Sequence, residues 1–176
     1  EEAVVQCLSE AGPLDARLRE LGLLPGAHVR MIASGSPCIL LVGGSNARRW
    51  TNVADYFPGR NVINRGFGGA QLTDVVHFAD RIVLPYAPTT IFLNAGGNDL
   101  SAGKSPEQVR DACQAFVSKV STALPETHIY YIAIPPVLRA TKAPEGMALI
   151  RRTNGLIEDL ARADSRLRFI ALFPRF

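Results

Sequence analysis

The 176-residue sequence has few of the residues that bind metal ions or crosslink small domains. It contains three histidines and three cysteines, and neither type forms a paired motif such as C-x-x-C or H-E-x-x-H. Cys7, Cys38 and Cys113 lie far apart, which favours buried apolar positions over a disulfide or zinc framework. We therefore expect neither a metal site nor a cofactor.

Long apolar runs and dense charge are also lacking. No run reaches the ~20 residues of a membrane helix, and Glu1-Glu2-Ala3 lacks the basic and apolar segments of a signal peptide. The 19 Lys and Arg residues exceed the 16 Asp and Glu residues only slightly, and the densest basic clusters are pairs such as Arg48-Arg49. We expect a soluble chain that neither inserts into a membrane nor binds nucleic acid.

From residue 38 onward, apolar runs of strand length alternate with amphipathic segments of helix length. This alternation is typical of parallel strands joined by right-handed crossover helices. The predicted fold is α/β, a three-layer, doubly wound, flavodoxin-like parallel sheet with its ligand site at the carboxyl ends of the strands. Strands are predicted at Cys38–Val42, Asn61–Asn64, Thr89–Asn94, His128–Ile134 and Leu167–Leu172, and helices at Ala70–Val83, Ser105–Leu124 and Gly146–Ala163.

The first 37 residues do not continue the alternation. Strands are predicted at Ala3–Leu8 and Ala27–Ile32, with a short helix at Leu14–Leu24 that Pro25-Gly26 ends. We therefore divide the chain into a small β-rich appendage at 1–37 and an α/β domain at 38–176.

Three glycine-rich loops follow three of the predicted strands. They are Gly43-Gly44-Ser45-Asn46, Asn64-Arg65-Gly66-Phe67-Gly68-Gly69 and Gly96-Gly97-Asn98-Asp99. In a doubly wound sheet these loops converge on one edge, where they bring together a hydroxyl, exposed backbone amides and a carboxamide. Each loop alone is more often structural, but the combination indicates acyl transfer through a nucleophilic serine and an oxyanion hole.

With these three blocks, the stretch from Ile39 to Pro174 resembles the SGNH (GDSL-type) hydrolases, with Gly43-Gly44-Ser45 in place of G-D-S. The resemblance implies that Ser45 is the nucleophile and that the Ser45 and Gly69 amides form the oxyanion hole with the Asn98 side chain. It also implies a small ester substrate, such as an acyl ester or an acetylated sugar. Gly44 replaces the usual Asp, and we expect this to alter local hydrogen bonding more than chemistry.

The segment Leu18–Arg30 resembles FeoA-type domains, small SH3-like barrels associated with ferrous iron transport, and the likeness continues weakly to Gly44. The closing strands of such a barrel would overlap the first strand of the hydrolase-like region, so one of the two folds would be incomplete. The alternative function is therefore a non-catalytic interaction module, or a carbohydrate-binding relic of the esterase crevice.

Several neighbouring residues have a structural interpretation. We expect Asp99 to brace its own turn through side-chain to backbone hydrogen bonds. Arg48 and Trp50 are expected to pack on the sheet edge. Pro135-Pro136 either shapes a substrate loop near Ser45 or forms a rigid turn without substrate contact.

The family's C-terminal D-x-x-H block, which supplies the catalytic Asp and His, is absent from this sequence. His128 is predicted at the opposite sheet edge and His77 on a helix that covers a face, so geometry leaves only His28 in the appendage. A serine without a base is a poor nucleophile, and we expect marginal activity. The ending Phe173–Phe176 suggests a truncated or recombined chain, with a gene remnant or a domain completed by another chain as the alternatives.

Overall fold

The structure is a computed structural model that describes residues 2–4, 28–30, 38–136 and 144–172. Its contacts divide the chain into two compact units, Glu1–Ser36 and Pro37–Phe176. In the first unit, strand β1 (Glu2–Val4) pairs antiparallel with β2 (His28–Arg30). The helix predicted at Leu14–Leu24 lies outside the described residues.

The second unit is a parallel sheet with flanking helices, which confirms the predicted α/β fold. Its strands are β3 (Cys38–Gly43), β4 (Asn61–Gly66), β5 (Thr90–Asn94), β6 (His128–Ile132) and β7 (Leu167–Ile170). They form one sheet in the order β4-β3-β5-β6-β7, with every neighbouring pair parallel. The helices are α1 (Ser45–Arg49), α2 (Leu72–Ile82), α3 (Gly97–Ser101), α4 (Pro106–Ala123) and α5 (Pro144–Ala163), with 3-10 turns at Val53–Tyr56 and Leu84–Tyr86.

Strand β3 is almost wholly apolar because it is buried on both faces of the sheet. Leu41 packs against Ala47 of α1 and Val53 of the following 3-10 turn. Leu40 and Val42 point to the opposite face, where the longer helices lie, and both are fully buried. Since α1 starts where this buried inner strand ends, the packing of the core fixes the position of Ser45.

The long helix α4 begins as its sequence predicts. Ser105 is the N-cap, Pro106 is the first helical residue, and Ser105 and Gln108 form a reciprocal capping box. Its apolar stripe, which includes Cys113 and Phe116, is fully buried against the sheet and neighbouring helices. The short helix α3 ends at Ser101, shortly before α4 begins.

The strand predicted at His128–Ile134 ends two residues early, at Ile132. The backbone of Ile134 does not pair with another strand, because the Asn154 side chain of α5 accepts from its N–H at 2.9 Å and donates to its carbonyl at 3.0 Å. The two loops predicted after β3 and β5 are shorter than expected. Helix α1 already starts at Ser45 and helix α3 at Gly97, so the second half of each predicted loop is helical.

Cys38 and Cys113 are buried free thiols, which confirms their expected apolar role; Cys7 lies outside the described residues. Burial raises the pKa of the Cys113 thiol to about 12 and also raises that of Cys38. Within residues 38–136 and 144–172, no helix has the length and apolar character needed to cross a membrane. The same described residues hold no cluster of His, Cys, Asp and Glu able to bind a metal ion.

Candidate active site

The three glycine-rich loops begin side by side at the carboxyl ends of their strands. In the strand register, Gly43 at the end of β3 lies beside Gly66 of β4 and Asn94 of β5. Gly43 has a φ of +141°, and a Cβ there would lie only 1.9 Å from the Asn94 carbonyl oxygen. Only glycine permits this approach, which lets the backbone turn sharply into Ser45.

Ser45 is the first residue of α1 and is half-buried. Its hydroxyl makes no hydrogen bond to any described residue, and its backbone N–H, at the first turn of a helix, has no described acceptor either. The far end of α1 is held by Asn64, whose Nδ2 donates to the carbonyls of Ala47 at 2.8 Å and Trp50 at 3.1 Å. Within the part of the chain that the structure describes, the Ser45 hydroxyl and amide therefore have no partner, and Asn64 braces the helix that carries them.

Helix α1 also packs directly on the backbone of β4 at Gly66. A Cβ at this position would lie 2.5 Å from the Arg48 nitrogen and 2.8 Å from the Cβ of Ala47. Any side chain at Gly66 would therefore push α1, and Ser45 with it, away from the sheet.

Gly66→Ala is expected to lower the free energy of unfolding by about 1–3 kcal/mol, because overpacking forces the backbone to shift. The matched control is Gly155→Ala on α5, where a Cβ meets nothing within 4 Å. This control is expected to stabilise the chain by roughly 0.5–1 kcal/mol through helix propensity. Urea unfolding measures both; equal stability of the two variants would contradict the close packing of α1 on Gly66.

Asn98 lies on α3 with its carboxamide against the start of the Ser45 turn. Its Nδ2 donates to the Ala70 carbonyl at 2.8 Å and would lie 3.0 Å from a Cβ on Gly44. A side chain at position 44 would therefore crowd Asn98, which explains how glycine suits this position. One of the two Nδ2 hydrogens is engaged by Ala70, and the other has no acceptor among the described residues.

Gly69 is exposed, has a φ of +75°, and its N–H has no acceptor among the described residues. It directly precedes Ala70, the acceptor of the Asn98 hydrogen bond. Gly69 is therefore next in the chain to a residue that contacts Asn98, although it does not line the cavity beside Ser45.

A cavity of about 360 Å³ opens beside Ser45. Ser45 and Asn98 both line it, together with Asn94, Ile134, Pro135 and Leu149. The structure thus brings Ser45 and Asn98 to one crevice, at the carboxyl edge of the sheet. Pro135 shares this lining, so the turn at Pro135-Pro136 lies beside the cavity that Ser45 lines.

Asp99 does not brace its own turn, so that prediction is wrong. Its carboxylate is fully buried and accepts from the backbone N–H of Leu72 at 2.9 and 3.2 Å, while Lys104 Nζ lies 2.9 Å away. Leu72 is the first residue of α2, whose N–H has no acceptor within the helix. The buried carboxylate therefore joins the start of α2 to α3, next to Asn98.

Trp50 packs against the cluster of Leu41, Ala47 and Val53, on the face of the sheet that α1 covers rather than on its edge. The exposed Arg48 instead extends along the glycine block, where its Nη1 would lie 3.2 Å from a Cβ on Gly68.

Sequence reasoning missed two residues that shape the cavity. Asn94 accepts the N–H of Gly44 on its backbone carbonyl at 2.9 Å, and its Nδ2 donates to the Ile132 carbonyl. Beneath Gly96, the buried Tyr131 hydroxyl donates to the Ala95 carbonyl at 2.6 Å. Burial, then the nearby Cys113 and Asp99, raises the pKa of Tyr131, which keeps it a neutral donor. The position of Asn94 at the end of a predicted strand could have identified it as a residue of the cavity. Nothing in the sequence indicates that role for Tyr131.

Neither described histidine side chain reaches this cavity. His128 starts β6, at the amino edge of the sheet, opposite the edge that carries Ser45. His77 is exposed on α2, where its ring contacts Phe78. The side chain of His28 lies outside the described residues. No imidazole of residues 38–136 or 144–172 therefore lines the Ser45 cavity.

Comparisons with solved structures find the same fold. A protein from Streptococcus pneumonia assigned as a platelet activating factor superposes with a TM-score of 0.71 at 23% identity, covering 90% of this chain and 72% of that chain. A GDSL-like lipase from Bacteroides thetaiotaomicron gives 0.69 at 15% identity, covering 81% and 72%. A psychrotrophic esterase from Pseudoalteromonas sp., inhibited by monoethylphosphonate, gives 0.61 at 14% identity, covering 78% of each chain.

Family models match the two parts of the chain separately. The FeoA domain model matches residues 1–48, so that this segment is similar to FeoA domains. The model described as the GDSL-like lipase/acylhydrolase family matches residues 32–176, and the two matches overlap at 32–48. No curated protein matches the chain. With this match over most of its length, a parallel sheet and a serine at its carboxyl edge, the chain belongs to the GDSL-like lipase/acylhydrolase family.

Proposed function

We propose that the chain hydrolyses carboxylic esters through an acyl-Ser45 intermediate. The observation that carries the proposal is that the Ser45 hydroxyl, which has no hydrogen-bond partner among the described residues, and the carboxamide of Asn98 line one cavity. Ser45 Oγ attacks the ester carbonyl, its proton passes to a base, and the alcohol leaves with a proton as the tetrahedral centre collapses. Water then attacks the acyl-serine, releasing the acid and restoring the hydroxyl.

The proposed oxyanion hole consists of the N–H groups of Ser45 and Gly69 and of Asn98 Nδ2. Both amides lack described acceptors, and the Asn98 carboxamide keeps one hydrogen free. Such donors are strongest when they are fixed before the charge develops. The contact of Asn98 with Ala70, together with the glycine at position 44, supplies that fixation.

The general base is proposed to come from outside the described residues of this chain. Within these residues no imidazole lines the cavity, and removal of the base from a serine triad costs roughly 10⁶-fold in turnover. The chain by itself is therefore expected to hydrolyse esters slowly. A histidine from a further segment or from a second chain would raise the rate.

A fluorophosphonate probe tests the proposal, because it forms a stable phosphonyl ester with a reactive serine. We expect the wild-type chain to be labelled slowly at Ser45, as located by peptide mass spectrometry, and Ser45→Ala to show no labelling. Addition of imidazole, which can act as a soluble base, should accelerate the wild-type reaction. A folded wild-type chain that remains unlabelled under both conditions would rule out a reactive Ser45.

A second candidate is a non-catalytic SH3-type interaction module at the N-terminus, which the FeoA match to residues 1–48 favours. In that case binding to a membrane transporter partner would depend on the segment Leu18–Ile32 and not on Ser45. A pull-down with Ser45→Ala and with a scrambled Leu18–Ile32 segment separates the two functions.

A further inference from the structure

Two of the proposed oxyanion donors, Gly69 N–H and Asn98 Nδ2, belong to separate glycine-rich turns. The segment Gly66–Gly69 contains three glycines, and Gly96-Gly97 directly precedes Asn98. Because glycine loses more conformational freedom on folding than any other residue, such turns do not hold a fixed spacing by themselves. Contacts outside the two turns are therefore needed to set the distance between the two donors.

A buried ion pair connects the two turns just beyond the donors. The fully buried Asp99 carboxylate accepts from the N–H of Leu72 at 2.9 and 3.2 Å. Lys104 Nζ lies 2.9 Å from Asp99 Oδ1 and donates to Thr73 Oγ1 at 3.0 Å. We call Asp99 and Lys104, with their contacts to Leu72 and Thr73, the Asp99 clamp.

The Asp99 clamp lies next to both donors in the chain. Asp99 directly follows Asn98 in α3, and Leu72 lies three residues after Gly69. The Asn98 carboxamide contacts the carbonyl of Ala70, which lies between Gly69 and Leu72, at 2.8 Å. The clamp and this contact are therefore two neighbouring connections between the same two segments.

Helix α2 has an N-terminal cap that does not involve Asp99. Gln71 and Asp74 form a reciprocal capping box within the helix's own first turn. The Leu72 N–H is one of the first-turn donors that a helix leaves without an internal acceptor, and Asp99 takes it from another element. Because the helix is capped locally, the main consequence of the Asp99 contact is the connection of α2 to α3.

We propose that Asp99 is a positioning residue for ester hydrolysis, which holds the Gly69 amide in place relative to Asn98 Nδ2 through its hydrogen bond with Leu72. The inference rests on the proposed function. Oxyanion donors act best when they are fixed before the charge develops, and a misplacement of about 1 Å can cost ~10²-fold in rate. Loss of the clamp should therefore slow the attack of Ser45 beyond any effect of lower stability.

Replacement of Asp99 tests this role through the rate at which an alkyl fluorophosphonate labels Ser45. Under conditions where circular dichroism shows the variant to be folded, Asp99→Ala should be labelled about 10–10²-fold more slowly than wild type. Asp99→Asn should stay within about threefold of wild type, because its amide oxygen can still accept from the Leu72 N–H.

The matched control is Val120→Ala on α4, a fully buried position outside the Ser45 cavity. It destabilises the chain by leaving a void but does not touch the clamp, so the folded variant should react within about twofold of wild type. Equal slowing in Asp99→Ala and Val120→Ala would assign the effect to stability and overturn the positioning role. Equal slowing in Asp99→Ala and Asp99→Asn would overturn the role of the Leu72 hydrogen bond.

The inference and the proposed function fail in different ways. A folded Asp99→Ala variant that is labelled at the wild-type rate would overturn the positioning role and leave the hydrolase function standing. A wild-type chain that is never labelled would overturn the hydrolase function, and with it the role of Asp99 in the reaction.

Hydrogen exchange of the wild-type chain tests the clamp without any substitution, which covers the case that Asp99→Ala does not fold. Leu72 and Thr73 are neighbours in the first turn of α2, and the Thr73 N–H has no acceptor among the described residues. The Leu72 N–H should exchange at least about tenfold more slowly than that of Thr73. Equal exchange would mean that the carboxylate does not hold α2 in solution, and would overturn the inference.

Discussion

Replacing Asn98 by alanine is expected to slow the reaction of Ser45 with a fluorophosphonate by about 10²–10³-fold, the usual cost of one oxyanion-hole donor. The phosphoryl oxygen, like the carbonyl oxygen of an ester, gains negative charge as Ser45 attacks. Asn98 Nδ2, which donates to the Ala70 carbonyl, is the side-chain donor that we propose for that oxygen. Stopped-time labelling followed by intact mass spectrometry measures the rate.

The control for this prediction is Asn52→Ala, which removes an exposed asparagine side chain that makes no capping hydrogen bond. It should react within about twofold of wild type, because exposed substitutions away from a site have small effects. Circular dichroism verifies that both variants fold. A folded Asn98→Ala variant that reacts at the wild-type rate would exclude Asn98 from the oxyanion hole.

Replacing Asp99 by alanine is expected to lower the free energy of unfolding by about 3 kcal/mol. The substitution leaves the buried N–H of Leu72 without its acceptor and the Lys104 ammonium without its carboxylate, so that Lys104 keeps only its hydrogen bond to Thr73 Oγ1. For a chain of this size the loss corresponds to a fall in Tm of roughly 6–12 °C. Thermal unfolding followed by circular dichroism measures it.

The two partners of Asp99 contribute unequally. Lys104 is 24% exposed, so water compensates in part for a lost ion pair, and Lys104→Gln should cost only about 1 kcal/mol or less. The larger share is assigned to the hydrogen bond with the start of α2. If Lys104→Gln destabilised the chain as much as Asp99→Ala does, the carboxylate would act mainly through its charge.

Much of the fold follows from local sequence patterns. The Ser105-Pro106 start and the apolar stripe of α4 are local signals, and so are the apolar runs of β3 and β5. Their alternation suffices to predict a parallel sheet, and the rule that loops meet at the carboxyl ends places Ser45 and Asn98 on one edge.

The remaining features depend on partners that are distant in the sequence. The Asp99 carboxylate accepts a hydrogen bond from the N–H of Leu72, 27 residues away, and the Asn154 side chain accepts one from the N–H of Ile134, 20 residues away. A carboxylate four residues into a glycine-rich turn looks locally like a turn brace, and only the packing of α2 shows its actual acceptor. The alternation of side chains in β6 does not indicate that Asn154 of α5 ends the pairing of this strand with its neighbours.

The fold and the proposals about the site rest on different observations. The structural neighbours at 23% identity or less show only that the architecture is shared. Family membership rests on the match to residues 32–176. The roles proposed for Ser45, Gly69 and Asn98 rest on a hydroxyl and two amides without partners in residues 38–136 and 144–172, and on the contacts of the carboxamide.

The most direct test of the proposed site is a crystal structure of the chain after reaction with an alkyl fluorophosphonate. We predict a phosphonyl group on Ser45 Oγ whose phosphoryl oxygen lies about 2.7–3.1 Å from Ser45 N, Gly69 N and Asn98 Nδ2. An adduct on another residue, or a phosphoryl oxygen directed into solvent away from Asn98, would contradict it.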